Sequence, residues 1–93
     1  MKTKILFSPD YGGTSLYNDK AQNLPYKYMP LSPALTKQLE EFDDSIWELC
    51  PGSETTKERQ KEIYKNGLRL CNLVALELGD KYEVIELLDW LKP

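Results

Sequence analysis

A chain of 93 residues is long enough for one hydrophobic core and too short for two, so we expect a single small domain over residues 1–93. Hydrophobic residues make up 41% of the sequence and charged residues 29%, which is typical of a globular protein. The net charge of −3 argues against nucleic acid or an anionic membrane as a partner, and the absence of histidine removes the commonest general base and most zinc sites.

The first predicted element is a short strand over residues 2–7, where Ile5, Leu6 and Phe7 are apolar in succession. Residues 8–31 follow as a long loop that is rich in tyrosine, proline and glycine. Four of the six tyrosines of the chain lie in this loop: Tyr11, Tyr17, Tyr26 and Tyr28. A loop of this kind can bind a protein through its aromatic rings, or it can cover a small core with them.

A helix is predicted from about Pro33 to Cys50. Ser32 is suited to cap its start, Pro33 to occupy the first helical position, and Pro51-Gly52 to end it. Its apolar residues recur at spacings of three and four, which places them in one stripe: Leu35, Leu39, Phe42, Ile46 and Leu49. We expect this stripe to pack in the core.

A second helix is predicted from about Glu54 to Leu78, and Gly79 should end it. Thr55 and Glu58 have the spacing of a capping box at its start, with Ser53 as the alternative cap. The second half of this helix is apolar in almost every direction, so it should be covered on more than one side.

Gly67 lies on the apolar face of the second helix, where glycine is less favourable than alanine by about 1 kcal/mol. We therefore expect the first helix to approach closely there, with Phe42 or Ile46 against the glycine. The segment from Tyr82 to Leu88 has the composition of a strand, and a helix is the alternative.

Together these elements predict an α+β fold in the order β, long loop, α, α, β. The two helices form an antiparallel hairpin packed on a small sheet of the N- and C-terminal strands. In such a hairpin Cys50 and Cys71 lie about 25 Å apart, too far for a disulfide, which favours free thiols and a reducing compartment. Because no apolar run suits a signal peptide or a membrane span, we expect a cytoplasmic protein.

The first helix carries five acidic residues against one lysine. Such a run is most often a solvated face, and the functional alternative is a docking surface for a basic partner. Trp47 lies outside the apolar stripe and could anchor that partner, unless the long loop folds over it. The candidate partner-binding residues are these acids, this tryptophan and the loop tyrosines: Glu40, Glu41, Asp43, Asp44, Glu48, Trp47, Tyr11, Tyr17, Tyr26 and Tyr28.

Two motifs, Phe7-Ser-Pro-Asp-Tyr-Gly12 and Leu31-Ser-Pro-Ala-Leu35, precede the aromatic-rich helix that ends near Trp47. In this respect the chain resembles a group of short, uncharacterised bacterial proteins that pair an F-x-P-D-Y strand exit with an L-S-x-x-L helix start. The resemblance covers roughly the first half of the chain. It implies a small cytoplasmic protein of bacterial or phage-like type, and it implies no activity and no catalytic residues.

We predict a small cytoplasmic protein-binding module with no enzymatic activity, cofactor or metal. Its acidic face fits acidic inhibitors and immunity-type proteins that mask a basic partner. An enzyme would need a pair of carboxylates in a pocket, which nothing in the sequence marks. The alternative is a homodimeric structural or regulatory protein, in which Leu73 and Leu76 on the far side of the second helix pack against a second copy.

Overall fold

The computed structural model describes residues 2–93, so the predicted domain limit at Met1 lies outside the described residues. The strands and α-helices of this part of the chain are β1 (Thr3–Phe7), β2 (Leu16–Asn18), α1 (Pro33–Ile46), α2 (Lys57–Leu78) and β3 (Tyr82–Glu86). Short 3-10 helices complete the order at Tyr26–Tyr28, Trp47–Leu49, Gly79–Lys81 and Asp89–Leu91. The predicted α+β class and the sheet that joins both terminal strands are confirmed.

The sheet has the order β2-β1-β3, with the first strand of the chain in the centre. β1 pairs antiparallel with β2 and parallel with β3. The parallel pair needs a long crossover connection, which the loop and the two helices supply. Alternate side chains of β1 point to opposite faces, and Ile5 and Phe7 are buried on the inner face that the helices cover.

The segment predicted as a long loop contains regular structure, and this corrects the predicted element order by one strand. Leu16 begins β2, pairs with Phe7 of β1 and is fully buried. Tyr26, in the first 3-10 helix, is also buried, with 5% of its surface exposed. A segment rich in turn residues becomes a strand here because the central strand offers it an edge to pair with. The loop therefore covers the core in part.

α1 begins as predicted. The Ser32 hydroxyl accepts a hydrogen bond from the Leu35 N–H at 3.2 Å, and Pro33 occupies the first helical position. The α-helical geometry ends at Ile46, and the last predicted turn is a 3-10 helix at Trp47–Leu49. Tightening of the last turn in this way is common at helix ends, because it gives otherwise unpaired backbone groups a partner.

α2 begins at Lys57 rather than near Glu54, and Thr56 caps it in place of the predicted Thr55 or Ser53. The hydroxyls of Thr55 and Ser53 instead donate to the carbonyl of Glu48 at the end of the first helical segment. That carbonyl lacks an intrahelical partner, so the two candidate caps serve the preceding helix end.

The predicted close approach of the two helices is confirmed, with Phe42 as the residue that contacts Gly67. A Cβ atom at Gly67 would lie 3.0 Å from Cζ of Phe42 and 3.3 Å from Cδ1 of Leu88. The ring of Phe42 also packs against Phe7, at 6.0 Å between centroids. This ring therefore joins α1, α2 and the central strand in one contact.

The apolar half of α2 is covered by α1 on one side and by the terminal strand and final 3-10 helix on the other. Leu73 is half-buried against this core, whereas Leu76 is 77% exposed. A single exposed leucine is normal for a monomer, so this face does not require a second copy. The homodimer stays a prediction, which the mass from light scattering would test.

Cys50 is half-buried, Cys71 is buried, and both are free thiols. Burial, with a smaller contribution from the charge of Glu86, raises the pKa of the Cys71 thiol to about 11, so it stays protonated at neutral pH.

Among residues 2–93, no helix has the length and apolar character to cross a membrane. The same residues contain no group of potential ligand side chains that could hold a metal ion.

Candidate protein-binding site

An open groove of about 590 Å³ lies between α1 and the loop that connects β1 to β2. We call it the acidic groove, because its charged lining residues are all acids. From α1 and the turn after it, the groove is lined by Glu40, Asp43, Asp44 and Trp47. On the other side it is lined by Gly12, Gly13 and Thr14 of this loop and by Asn23, which follows β2.

Helix geometry explains why the three acids of α1 and the tryptophan directly after it lie on the same side of the helix. Their spacings of three and four residues place Glu40, Asp43, Asp44 and Trp47 along one face of the helix. Glu41 is exposed but lines a different cleft of about 390 Å³ between the helices, together with Arg59 and Arg69. The structure thus brings four of the predicted residues together and separates Glu41 from them.

Glu48 is paired with a basic residue of α2, Arg59. Its carboxylate accepts two hydrogen bonds from the Arg59 guanidinium, at 2.9 Å from Nε and 2.8 Å from Nη2. These bonds hold the pKa of Glu48 below its usual value. Because Arg59 already balances this charge, Glu48 links the end of α1 to α2 and does not belong to the free acidic surface.

Asp43 is the half-buried member of the acidic groove, and two hydroxyl groups from the loop bind it. Ser15 Oγ donates to one carboxylate oxygen at 2.5 Å, and the Tyr26 hydroxyl donates to the other at 2.6 Å. The Tyr26 hydroxyl in turn accepts the Ser15 backbone N–H at 2.8 Å. These three residues tie the loop to α1 and set the position of one groove wall against the other.

This network corrects the prediction for Tyr26, which lies in the core and is not available at the surface. A buried tyrosine needs a partner for its hydroxyl, and Asp43 supplies one. Burial, and then the charge of Asp43, raise the pKa of Tyr26 far above its ordinary value, so its hydroxyl remains a donor.

Burial is also the main reason that the pKa of Asp43 is raised, to about 6. The hydrogen bonds from Ser15 and Tyr26 act in the opposite direction, and the charges of Asp44 and Glu40 raise the pKa further. The carboxyl group that joins loop and helix therefore titrates just below neutral pH.

This shift predicts that stability rises on mild acidification. Because the folded pKa of Asp43 is above its unfolded value, the folded state binds a proton first as the pH falls from 7 to 5. With allowance for partial exposure, the wild type should gain about 1 kcal/mol relative to Asp43→Asn over this range. Urea unfolding of both proteins at pH 7, 6 and 5 measures the difference, and parallel profiles would contradict the prediction.

Three aromatic rings form a continuous surface feature that we call the aromatic ridge: Trp47, Tyr11 and Trp90. The ring of Tyr11 lies between the two tryptophans, with centroids 5.7 Å from Trp47 and 5.8 Å from Trp90. Trp47 is 52% exposed and Trp90 is 45% exposed. Trp47 therefore contacts the loop through Tyr11, and about half of its surface remains exposed.

The sequence does not single out Trp90 as a site residue. The available signal was that it is the only other tryptophan of the chain and lies next to a charged residue, Asp89. The two remaining candidates lie elsewhere. Tyr17 pairs with Leu6 on the outer face of the sheet, and Tyr28 is 74% exposed with the Lys27 ammonium 5.0 Å from its ring centroid. Neither tyrosine lines the acidic groove.

A two-helix hairpin on a mixed sheet, with an acidic groove beside exposed tryptophans, has the features of a small α+β binding module. Residues 3–87 match the model of the family described as Serratia CdiI immunity protein-like. The match spans every strand and α-helix named above, and the chain belongs to this family. No curated protein matches the chain.

Proposed function

We propose that this chain is an immunity-type inhibitor that binds a basic protein toxin through the acidic groove and neutralises it without catalysis. The observation that carries the proposal is the charge of the groove. Glu40, Asp43 and Asp44 line it, and no lysine or arginine does. Membership of an immunity protein family supports a toxin as the partner.

The carboxylates of Glu40 and Asp44 are available to a partner. Among residues 2–93, the ion pairs join Arg59 to Glu48 and Glu62, and Lys92 to Asp89. Two neighbouring carboxylates that form no ion pair among these residues attract a basic surface, speed its association and disfavour acidic competitors. The proposed compartment is the cytoplasm, in line with two free thiols.

The test uses charge reversal in the groove. A partner is captured from host lysate on the immobilised protein, and the captured protein is then expressed in a bacterial strain with or without this chain. We expect the captured protein to arrest growth and the wild-type chain to relieve the arrest. Glu40→Lys/Asp44→Lys should weaken binding by about 100-fold or more, because like charges then face each other, and should fail to restore growth.

The matched control is Asp80→Lys/Glu83→Lys, which changes the net charge equally at exposed positions beyond the end of α2. It should bind and protect like the wild type, and circular dichroism should show that both variants are folded. Equal loss in the two variants would reject the groove as the docking surface. A captured protein whose toxicity the wild-type chain does not relieve would reject the immunity function.

A further inference from the structure

We propose that the aromatic ridge anchors the toxin interface and that the acidic groove takes an arginine side chain of the partner, stacked on Trp47. This inference rests on the proposed function and adds to it the chemistry of the group that is recognised.

Contacts within the chain hold the ridge in place in the absence of a partner. The Tyr11 hydroxyl donates to the carbonyl of Leu49 at 3.1 Å, which fixes its ring between the two tryptophans. Trp90 belongs to the final 3-10 helix, which is held because its neighbour Leu91 is fully buried. Large rings already held in place lose little conformational freedom on binding, so Trp and Tyr at such positions commonly dominate interface energetics.

Three separate parts of the chain supply the ridge. Tyr11 comes from the loop after β1, Trp47 from the 3-10 helix after α1, and Trp90 from the end of the chain. Both tryptophans of the 93-residue sequence are thus exposed, and both contact the ring of Tyr11. Exposed tryptophans in contact with each other through a third ring form a patch typical of protein interfaces.

The two sides of the ridge differ in charge. On the side of Trp47 lies the acidic groove. On the side of Trp90 lies a groove of about 330 Å³ with no charged lining residue, formed mainly by Tyr11, Trp90 and residues 49–53. A partner segment that crosses the ridge therefore meets carboxylates on one side and uncharged surface on the other. Charge complementarity therefore favours a cationic side chain on the Trp47 side.

Arginine fits this position better than lysine. Its planar guanidinium can stack on the indole of Trp47 while it donates to the carboxylates of Asp44 and Glu40, whereas the lysine ammonium is a compact, strongly hydrated charge. Gly12, with φ +84°, places the loop close to one edge of the indole, because a Cβ atom there would lie 3.4 Å from Cζ2 of Trp47. Trp47 is nevertheless 52% exposed, so about half of the side chain stays accessible to an incoming group.

The first experiment uses short peptides as probes. Intrinsic tryptophan fluorescence and the indole N–H signals in NMR report only on the ridge, since both tryptophans lie there. Acetyl-hexaarginine amide should shift the Trp47 indole signal more than the Trp90 signal and bind about fivefold more tightly than hexalysine. Hexacitrulline, which is uncharged, should cause no shift. Trp90→Phe and Trp47→Phe assign the two signals.

Neutral variants locate the binding carboxylates. Glu40→Gln/Asp44→Asn should weaken the hexaarginine effect on Trp47 by about tenfold, and Asp80→Asn/Glu83→Gln should leave it unchanged. An unmoved Trp47 signal, or an equal response to hexacitrulline, would overturn the arginine site.

Binding of the captured toxin separates this inference from the proposed function. Trp47→Ala should weaken toxin binding by about 30-fold or more, whereas Tyr28→Ala, which truncates a more exposed ring, should have no effect. Trp47→Phe should retain part of the affinity and shows that the effect is not unfolding. Full affinity of Trp47→Ala, with loss in Glu40→Lys/Asp44→Lys, overturns the ridge and leaves the proposed function in place. Full affinity of both variants overturns this inference and the proposed function together.

Discussion

Phe42→Ala is expected to lower the free energy of unfolding by about 3–5 kcal/mol. The ring is 1% exposed and packs between Phe7 of the sheet and Gly67 of α2. Its removal leaves a cavity at the point where the two helices and the sheet meet, and the glycine opposite has no side chain to fill it. For a small domain with a total stability of about 5–15 kcal/mol, this is a large fraction. Urea unfolding at pH 7, followed by circular dichroism, measures the loss.

Leu76→Ala is the matched control, because it also truncates an apolar helical side chain but at an exposed position. It should change the unfolding free energy by less than about 0.5 kcal/mol. Phe42→Leu retains most of the buried volume and should fall between the two. A loss below about 1 kcal/mol in Phe42→Ala would show that the helices do not meet through this ring.

Tyr26→Phe is expected to lower the free energy of unfolding by about 2–3 kcal/mol. The variant keeps the ring but removes the hydroxyl, which leaves the Ser15 N–H without its acceptor and takes one donor from Asp43. Unmet hydrogen bonds of a buried amide and a half-buried carboxylate account for the size of the effect. Because this network joins the loop to α1, the variant should also bind the partner more weakly.

Tyr28→Phe provides the comparison two residues away. It makes the same chemical change on a ring that is 74% exposed, and it should leave stability and binding unchanged. Thermal unfolding and partner affinity of the two variants distinguish the buried hydroxyl from a general effect of tyrosine substitution. Equal behaviour of both would contradict the role assigned to the network.

Helix α1, strand β3 and the contact at Gly67 were all predictable from the sequence, because each has a local signature. Ser32 and Pro33 start the helix, and apolar residues at spacings of three and four define its buried stripe. Glycine at the centre of an apolar helical face indicates a close neighbour, which is Phe42. Each of these signals depends on residues a few positions apart or on one helix face, so it can be read from the sequence without knowledge of the fold.

Strand β2, by contrast, was not predictable. Leu16–Asn18 is three residues long and is surrounded by turn residues, and it becomes a strand because the edge of β1 pairs with it. The predicted cap of α2 was wrong for a similar reason, since the hydroxyls of Thr55 and Ser53 bind the Glu48 carbonyl at the other end of the interhelical connection. In both cases a partner outside the element itself decided the outcome.

The candidate site divides in the same way. An acidic face on α1 beside a tryptophan outside the core stripe could be predicted without the structure, because helical spacing settles which residues share a side. Which acids are free depends on contacts made in the folded chain: Arg59 pairs with Glu48, and the hydroxyls of Tyr26 and Ser15 bind Asp43. It also placed Trp90 beside Tyr11, which joins distant parts of the chain. Burial and pairing depend on groups far apart in sequence, and folding alone brings them together.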